Sequence, residues 1–355
     1  MKLTRGKKIW FALCAVLLIA AIGCGAAMRV VSGRLLSQRE AERWRGENER
    51  EFRQISCFMP LESAVGLKEI YAFRYELLDV LSEAGVEWKE EVYPFIDAWS
   101  AEGKMKISGE KGSTDAPVLA VGGQFFEFHP LRLLSGSYLA ESDLSPDRVL
   151  LDRELAWELF GGEELTGMSV EVNGVRLVVG GVVERESDGA SRRAYTGEKG
   201  FFISYDAWRA ISGSDRIDCY EVVLPETVKG YAAQLTADHF PNKEGENVVN
   251  TDRFSLERLL QLARDLPERA AHGGTVRYPY WENAARIAEN ECAVLAVCML
   301  GLSLPAAITA LAELFRLLAR GKTALEEEVL PKAKEGVEEA VRVRARRRWE
   351  KKHGK

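Results

Sequence analysis

Two long apolar runs are the strongest pattern in the chain. Residues 9–28 (IWFALCAVLLIAAIGCGAAM) and 292–312 (CAVLAVCMLGLSLPAAITALA) hold no charged side chain over 20 and 21 positions. At about 1.5 Å per residue, a helix of either length spans the roughly 30 Å hydrocarbon layer of a bilayer. The pattern therefore predicts two transmembrane helices, the second kinked at Pro305, which neighbouring protein can accommodate.

Between these runs, apolar positions predict a mixture of helices and strands. Apolar side chains at three- and four-residue steps predict an amphipathic helix over 64–84, which Gly85 ends. Residues 88–108 are rich in aromatic and aliphatic side chains and predict extended strands, interrupted at Pro94. Residues 37–52 are highly charged and predict a helical stalk that leaves the membrane.

A strand followed by a capped helix is predicted near residue 150. Residues 149–151 are apolar, and Asp152 has a side chain suited to accept hydrogen bonds at a helix start. The helix is predicted over 153–160 and ends at Gly161-Gly162, because glycine readily adopts the left-handed conformation that follows many helices.

A β-hairpin is the most specific local prediction. Residues 169–172 and 175–183 flank Asn173-Gly174, a pair that readily adopts the two positive φ values of a type I′ turn. The polar residues 185–199 that follow predict a long exposed loop.

The remaining segments continue this irregular alternation. The further predicted elements are strands at 118–121, 201–205, 220–224 and 248–249, a helix that Asp206 caps, and helices at 226–239 and 255–265. They lack the regular spacing of a parallel doubly wound sheet, so the predicted fold class is α+β.

Charge adds the orientation. The net charge is -6, with 48 Lys+Arg against 54 Asp+Glu. Residues 1–28 carry +4 and residues 313–355 carry +5, which leaves -15 for residues 29–291. Since basic flanks favour the cytoplasm, both termini are predicted to be cytoplasmic and the acidic segment extracytoplasmic, at the plasma membrane. A cleaved signal peptide is the alternative for the first run, and lipidation of Cys24 is another.

The predicted organisation has five parts. They are a cytoplasmic N-terminus (1–8), a transmembrane helix (9–28), an extracytoplasmic domain (29–290), a second transmembrane helix (291–315) and a basic cytoplasmic tail (316–355). The tail is either a topology determinant or a docking segment for an acidic partner or anionic lipid.

Chemistry-bearing residues do not converge in the sequence. The four histidines lie in unrelated contexts, and His129 is expected to hydrogen bond structurally rather than to catalyse. A phosphate-binding loop is missing from the sequence. We therefore predict no catalytic, cofactor-binding or metal-binding residues, no enzyme activity and no nucleic-acid partner.

Cys57 and Cys219 either pair or stay free. The aromatic residues Tyr278, Tyr280 and Trp281 are expected to form an interfacial belt, with carbohydrate binding as the alternative.

A series of short motifs carries a family resemblance. In order they are Gly122-Gly123-Gln124-Phe125-Phe126, Leu133-Leu134-Ser135-Gly136, Val149-Leu150-Leu151-Asp152, Leu159-Phe160-Gly161-Gly162, Thr166-Gly167 and the strand 175–183 with Glu184. Their order and spacing resemble the MacB-like periplasmic core domain of MacB/FtsX-type ABC transporter permeases. The close match covers about 117–205, and the layout agrees over roughly 40–280.

The resemblance implies an α+β extracytoplasmic domain of two lobes, with the hairpin lobe at about 140–220, flanked by two transmembrane α-helices. It also implies work as a permease-like subunit or accessory, with a separate cytoplasmic ABC ATPase and a separate permease subunit as partners. One span follows the domain here, where the family has three. A homodimer through small residues at 23–27 is a further expectation. The alternative function is a membrane-anchored interaction module for an envelope protein, without transport.

Overall fold

The computed structural model describes residues 4–46, 49–60, 62–63, 65–88, 93–143, 146–195, 199–269, 276–324 and 330–354. The chain forms two compact units. One is Ala27–Ala296, and the other combines the described residues up to Ala26 with those from Val297 onwards.

Helices and strands alternate irregularly along the described residues, beginning with two helices. The helices are α1 (Arg5–Gly33), α2 (Glu40–Arg45), α3 (Leu67–Glu83), α4 (Phe125–Phe128), α5 (Arg153–Leu159), α6 (Gly189–Ala194), α7 (Tyr205–Ser212), α8 (Tyr231–His239), α9 (Leu256–Arg269), α10 (Tyr280–Ala324) and α11 (Leu330–His353). A 3₁₀ turn, Leu36–Gln38, lies between α1 and α2.

The strands all belong to the unit Ala27–Ala296. They are β1 (Phe52–Phe58), β2 (Ile96–Ser108), β3 (Ser113–Gly123), β4 (Arg132–Gly136), β5 (Arg148–Asp152), β6 (Ser169–Val172), β7 (Val175–Glu184), β8 (Phe201–Ser204), β9 (Cys219–Pro225) and β10 (Glu246–Val249). Within the described residues they form one ten-stranded sheet in the order β10-β1-β9-β2-β3-β8-β5-β7-β4, and β6 pairs with β2 and β7.

The sheet mixes both strand orientations. The pairs β3–β8 and β5–β7 are parallel, whereas neighbours such as β1–β9 and β2–β3 are antiparallel. This arrangement confirms the predicted α+β class. One sheet runs through both predicted lobes, and their division at about 140–220 stays a prediction.

Each face of the sheet has its own apolar core, because successive strand residues point to opposite faces. One core packs α3, α5, α7 and α8 against side chains such as Ile55, Cys57 and Trp99. The other packs α2, α4 and the start of α10 against side chains such as Phe58 and Leu119. The start of α10 is thus a structural part of the domain.

The two most specific local predictions are confirmed. Asn173 and Gly174 have φ values of 46° and 84° and connect β6 to β7. Asp152 Oδ1 accepts a hydrogen bond from the Leu155 amide at 2.8 Å, and Gly161 follows α5 with a φ of 82°. Local turn and cap chemistry therefore determined these elements.

The predicted helix over 64–84 is confirmed as α3, with Gly85 after it at a φ of 73°. Its buried residues are Ile70, Phe73, Leu77 and Leu81. In the next segment, β2 begins at Ile96, after Pro94, and residues 89–92 lie outside the described residues.

The predicted stalk over 37–52 is wrong. The described part of the segment forms the 3₁₀ turn and the six-residue α2, residues 47 and 48 lie outside the described residues, and β1 already begins at Phe52. Ser37, Gln38 and Glu40 are buried in spite of their polarity. Buried polar groups are tolerated when they are hydrogen-bonded, and the partners of this segment come from distant parts of the chain.

The predicted loop over 185–199 contains helix α6. Asp188 Oδ1 accepts hydrogen bonds from the amides of Ala190 and Ser191, each at 3.0 Å, and both residues are buried. Residues 196–198 lie outside the described residues.

Two further predictions need correction. Ser204, rather than Asp206, caps α7, and α8 begins at Tyr231 rather than near residue 226.

The helices α1 and α10 are long and apolar enough to cross a membrane. Only 11% and 6% of their apolar windows are buried within the structure, which is the opposite of a soluble core helix. Residues such as Ile19, Ile22 and Ile308 are largely exposed. In the unit formed by the residues up to Ala26 and those from Val297 onwards, Trp10 Nε1 donates a hydrogen bond to Thr309 Oγ1 at 2.9 Å. The predicted tail also contains a long helix, α11.

Candidate functional site: a buried charge cluster at the start of α10

The best-defined polar site centres on Arg253, in the turn before α9. Its Nη1 and Nη2 donate to the two carboxylate oxygens of Glu282 at 2.8 and 3.0 Å, and its Nε donates to Glu289 Oε1 at 2.9 Å. Glu282 and Glu289 are seven positions apart on α10, so a helical repeat places them on one face. The side chains of Arg253 and Glu282 are each 1% exposed.

Electrostatics keep this cluster ionised. Burial by itself would raise the pKa of Glu282, but Arg253 and Arg286 outweigh burial and hold that pKa below its ordinary value. Burial opposes the charge of Arg253, yet Glu282 and Glu289 raise the pKa of its guanidinium further. The bidentate geometry satisfies both partners, as a buried ion pair requires.

The cluster extends to the segment that follows α1. Arg253 Nη1 also donates to Gln38 Oε1 at 2.7 Å. Gln54, on β1, donates from Nε2 to the Ser37 carbonyl at 2.7 Å and accepts from the Glu40 amide at 2.9 Å. The chain entering the domain is therefore tied to both β1 and α10.

A second chain of hydrogen bonds runs from Asn250 across the neighbouring strands β1 and β9 to the loop after α4. Asn250 Nδ2 donates to Ser56 Oγ, and Ser56 Oγ donates to Glu221 Oε1, both at 2.7 Å. Glu221 Oε2 lies 2.5 Å from His129 Nε2. The ring of His129 packs 4.2 Å from the ring of Trp281, between centroids. His129 thus has the structural hydrogen bond that the sequence suggested.

Glu40 adds a buried carboxyl group at the edge of this network. Burial raises its pKa to about 7, Arg43 acts in the opposite direction, and Glu127 and Glu221 act with burial. Arg43 also donates from Nη2 to the Glu127 carbonyl at 2.6 Å. The protonation of Glu40 therefore responds to pH near neutrality.

The two cysteines of the domain lie on neighbouring strands without pairing. Cys57 lies opposite Tyr220, and Cys219 lies opposite Phe58, on the antiparallel strands β1 and β9. The two thiols consequently point to opposite faces of the sheet, and both are free and buried. Burial raises the pKa of both thiols, so they stay protonated.

The expected aromatic belt is wrong for Trp281, which is 2% exposed and packs in the core of the domain. The Tyr280 ring stacks on Tyr195 at 4.3 Å, and the Tyr278 ring packs against Phe58 at 5.4 Å. These rings serve the domain because the first turns of α10 belong to it.

The arrangement ties distant segments of the domain together. Within the described ranges, His, Cys, Asp and Glu residues form no group of three or more that could hold a metal ion. The carboxylates of the cluster are paired, buried and remote from solvent. What the cluster can do is hold the first turns of α10, the turn after α1 and the sheet in one fixed arrangement.

Sequence reasoning missed this cluster. The partners of Arg253 lie 29, 36 and 215 residues away along the chain. The available signal was weak: two glutamates at a seven-residue spacing, ahead of an apolar run that itself carries no charge.

Comparison with known proteins identifies the family. The family model of the MacB-like periplasmic core domain matches residues 11–237. A comparison with curated proteins finds no match.

Three solved structures are similar to part of the chain. The periplasmic region of MacB from Actinobacillus actinomycetemcomitans is 17% identical, with 56% of this chain and 88% of that chain covered and a TM-score of 0.41. The extracellular domain of the noncanonic ABC-type transporter YknZ from Gram-positive bacteria is 15% identical, with coverages of 56% and 99% and a TM-score of 0.38. A domain of a putative permease protein from Porphyromonas gingivalis is 15% identical, with coverages of 56% and 88% and a TM-score of 0.33.

The family match spans more than half of the chain and contains the motifs that carried the resemblance. This chain therefore belongs to the family with a MacB-like periplasmic core domain, of the ABC-transporter permease type.

Proposed function

We propose that this chain is a permease-like membrane subunit, or an accessory to one, that couples a separate cytoplasmic ATPase to its extracytoplasmic domain. Family membership supports the permease class. The exposed apolar windows of α1 and α10 support anchoring in a bilayer. ATP hydrolysis would be the work of the partner.

The observation that carries the proposal is the buried charge cluster. Arg253 holds two carboxylates on one face of α10, so the helix cannot slide or rotate without separating buried ions. Removing one partner of a buried ion pair costs about 3–5 kcal/mol. A displacement of the first turns of α10 is thus passed to the sheet rather than absorbed by slippage.

The proposal includes the topology and the domain boundaries. Residues 29–290 are extracytoplasmic, residues 9–28 and 291–315 span the membrane, and residues 1–8 and 316–355 are cytoplasmic. The basic flanks of both spans support this orientation.

Site-directed labelling tests the orientation. Glu110→Cys lies on the exposed turn after β2, and Glu339→Cys lies on the exposed surface of α11. A membrane-impermeant maleimide should label the first variant in intact cells and the second only after lysis. The wild-type chain is the control, since its domain cysteines are buried. Labelling of Glu339→Cys before lysis would overturn the topology.

Purification tests the coupling. The full chain, tagged and extracted from native membranes in mild detergent, should bring down an ABC ATPase and a second permease chain. Recovery of neither would overturn coupling and favour the interaction module instead. Repeating the purification with the Arg346→Gln variant controls for charge-driven carry-over by the basic tail.

A further inference from the structure

A cavity of about 500 Å³ lies against the sheet where β2, β3 and β8 are neighbours. Leu119 and Phe202, from β3 and β8, line it, and residues 276–278 with Tyr280 and Asn283 line it as well. Its volume falls within the roughly 300–1,000 Å³ typical of small-molecule sites. The buried charge cluster shares none of its lining residues.

One wall of the cavity is a preformed stack. The Arg185 guanidinium lies 4.7 Å above the Tyr195 ring, and that ring stacks on Tyr280 at 4.3 Å. Both tyrosine hydroxyls donate to Glu186, and Arg185 is also paired with Asp152 at 2.6 Å. Because these groups are already held in place, a ligand would lose little free energy in ordering them.

Arg277 is the cation that can turn to a ligand. Its side chain is 72% exposed, and its Nε lies 3.7 Å from Glu102 Oε2. That separation is longer than a hydrogen bond. Guanidinium groups bind carboxylates through paired N–H donors. A ligand carboxylate that forms such a pair with Arg277 would therefore interact with it more strongly than Glu102 does.

The charge of Glu102 determines how strongly it attracts Arg277. Burial raises the pKa of Glu102 to about 7, Arg277 and Arg216 act in the opposite direction, and Asp218 acts with burial. Near neutral pH a substantial fraction of Glu102 is therefore uncharged, which loosens its hold on Arg277.

We propose that this cavity binds a small organic anion, with an aromatic or apolar body against Leu119 and Phe202 and a carboxylate on Arg277. The apolar side chains of Leu119 and Phe202, the tyrosine wall and the exposed, loosely paired guanidinium of Arg277 match that chemistry. The proposal goes beyond coupling and does not depend on it, since none of its residues belongs to the charge cluster.

Equilibrium dialysis of the full chain in nanodiscs, with 2-naphthoate as the probe, tests the proposal. Saturable binding above that of empty nanodiscs is expected. Arg277→Gln should weaken it roughly tenfold, because it removes a charge-assisted pair. Arg132→Gln is the matched control: Arg132 is 73% exposed and paired with a 27% exposed glutamate, as Arg277 is, but it lies outside the cavity.

Further arms separate specific binding from partitioning. Neutral 2-naphthamide has the same rings and should bind roughly tenfold more weakly than the anion. Ala194→Phe places a ring in the cavity and should reduce binding by a similar factor. Near-ultraviolet circular dichroism checks that each variant is folded.

The pH profile gives an independent readout. Binding should weaken as the pH rises from 6 to 8, since Glu102 becomes charged, repels the anion and competes for Arg277. Glu102→Gln should flatten that profile. Equal binding by Arg277→Gln and Arg132→Gln, or no saturable binding at all, would overturn the proposal and leave the coupling role untouched.

Discussion

Arginine has opposite surroundings in two regions of this chain. Arg253 is 1% exposed and binds the carboxylates of Glu282 and Glu289. In α11, Arg346 is 83% exposed and pairs with Glu350 at 3.2 Å. Both are arginine–glutamate contacts, but water and salt screen the second much more strongly than the first. The count of charges in a segment therefore says little about the energy of their contacts.

The difference lies in what happens when one partner is lost. In α11 a separated charge returns to water at almost no cost. In the domain, loss of Arg253 removes an ion-pair partner from two carboxylates that lie beneath packed side chains, where a lost partner is strongly unfavourable. The buried cluster is thus a rigid joint, and α11 is a solvated basic surface.

The largest effect is expected from Arg253→Met, which keeps apolar volume and removes the charge. It removes the bidentate partner of Glu282 and an ion-pair partner of Glu289, while Arg286 still contacts Glu282 at 2.6 Å, and the free energy of unfolding should fall by about 3–5 kcal/mol because both carboxylates are buried. The urea midpoint of tryptophan fluorescence, measured on the full chain in detergent, reports the change. A loss below about 1 kcal/mol would show that the joint contributes little to stability.

Glu221→Leu should have the next largest effect. It removes the acceptor of Ser56 and the partner of His129, both of which are buried. An unsatisfied buried polar group costs about 1–3 kcal/mol. The same urea titration measures the loss, and Glu221→Gln, which retains one acceptor oxygen, should lose less. Equal losses for the two variants would count against a hydrogen-bond role.

The pH dependence of stability provides the third test. Burial raises the pKa of Glu40 from an ordinary 4.5 to about 7, so between these values the folded state binds more protons than the unfolded state. The contribution of Glu40 to the free energy of unfolding therefore falls as the pH rises from 4.5 to 7. The free energy of unfolding of Glu40→Gln minus that of the wild type should therefore be larger at pH 8 than at pH 5. A difference between the two chains that is independent of pH would refute this.

Arg346→Gln should have the smallest effect. Exposed ion pairs contribute about 0–1 kcal/mol, and pairs at i,i+4 on a helix contribute about 0.3–0.5 kcal/mol. The urea midpoint should be nearly unchanged, and added salt should remove any residual shift. A loss as large as that of Arg253→Met would erase the distinction between the two regions.

Local chemistry explains which elements could be predicted. The Asn173-Gly174 turn, the Asp152 cap and the α3 periodicity depend on neighbouring residues, and the structure confirms them. The stalk prediction for 37–52 failed because its polar groups find buried partners elsewhere in the chain. Only contacts far along the sequence could reveal that.

The sequence by itself determined the apolar runs, the α+β alternation and the family motifs, because hydrophobic periodicity and turn chemistry act over a few residues. The tertiary structure alone decided that Cys57 and Cys219 face apart, that Trp281 is a core residue and that Arg253 meets Gln38 and Glu282. Strand register and helix docking set those contacts. Both depend on the packing of segments that are distant in the chain.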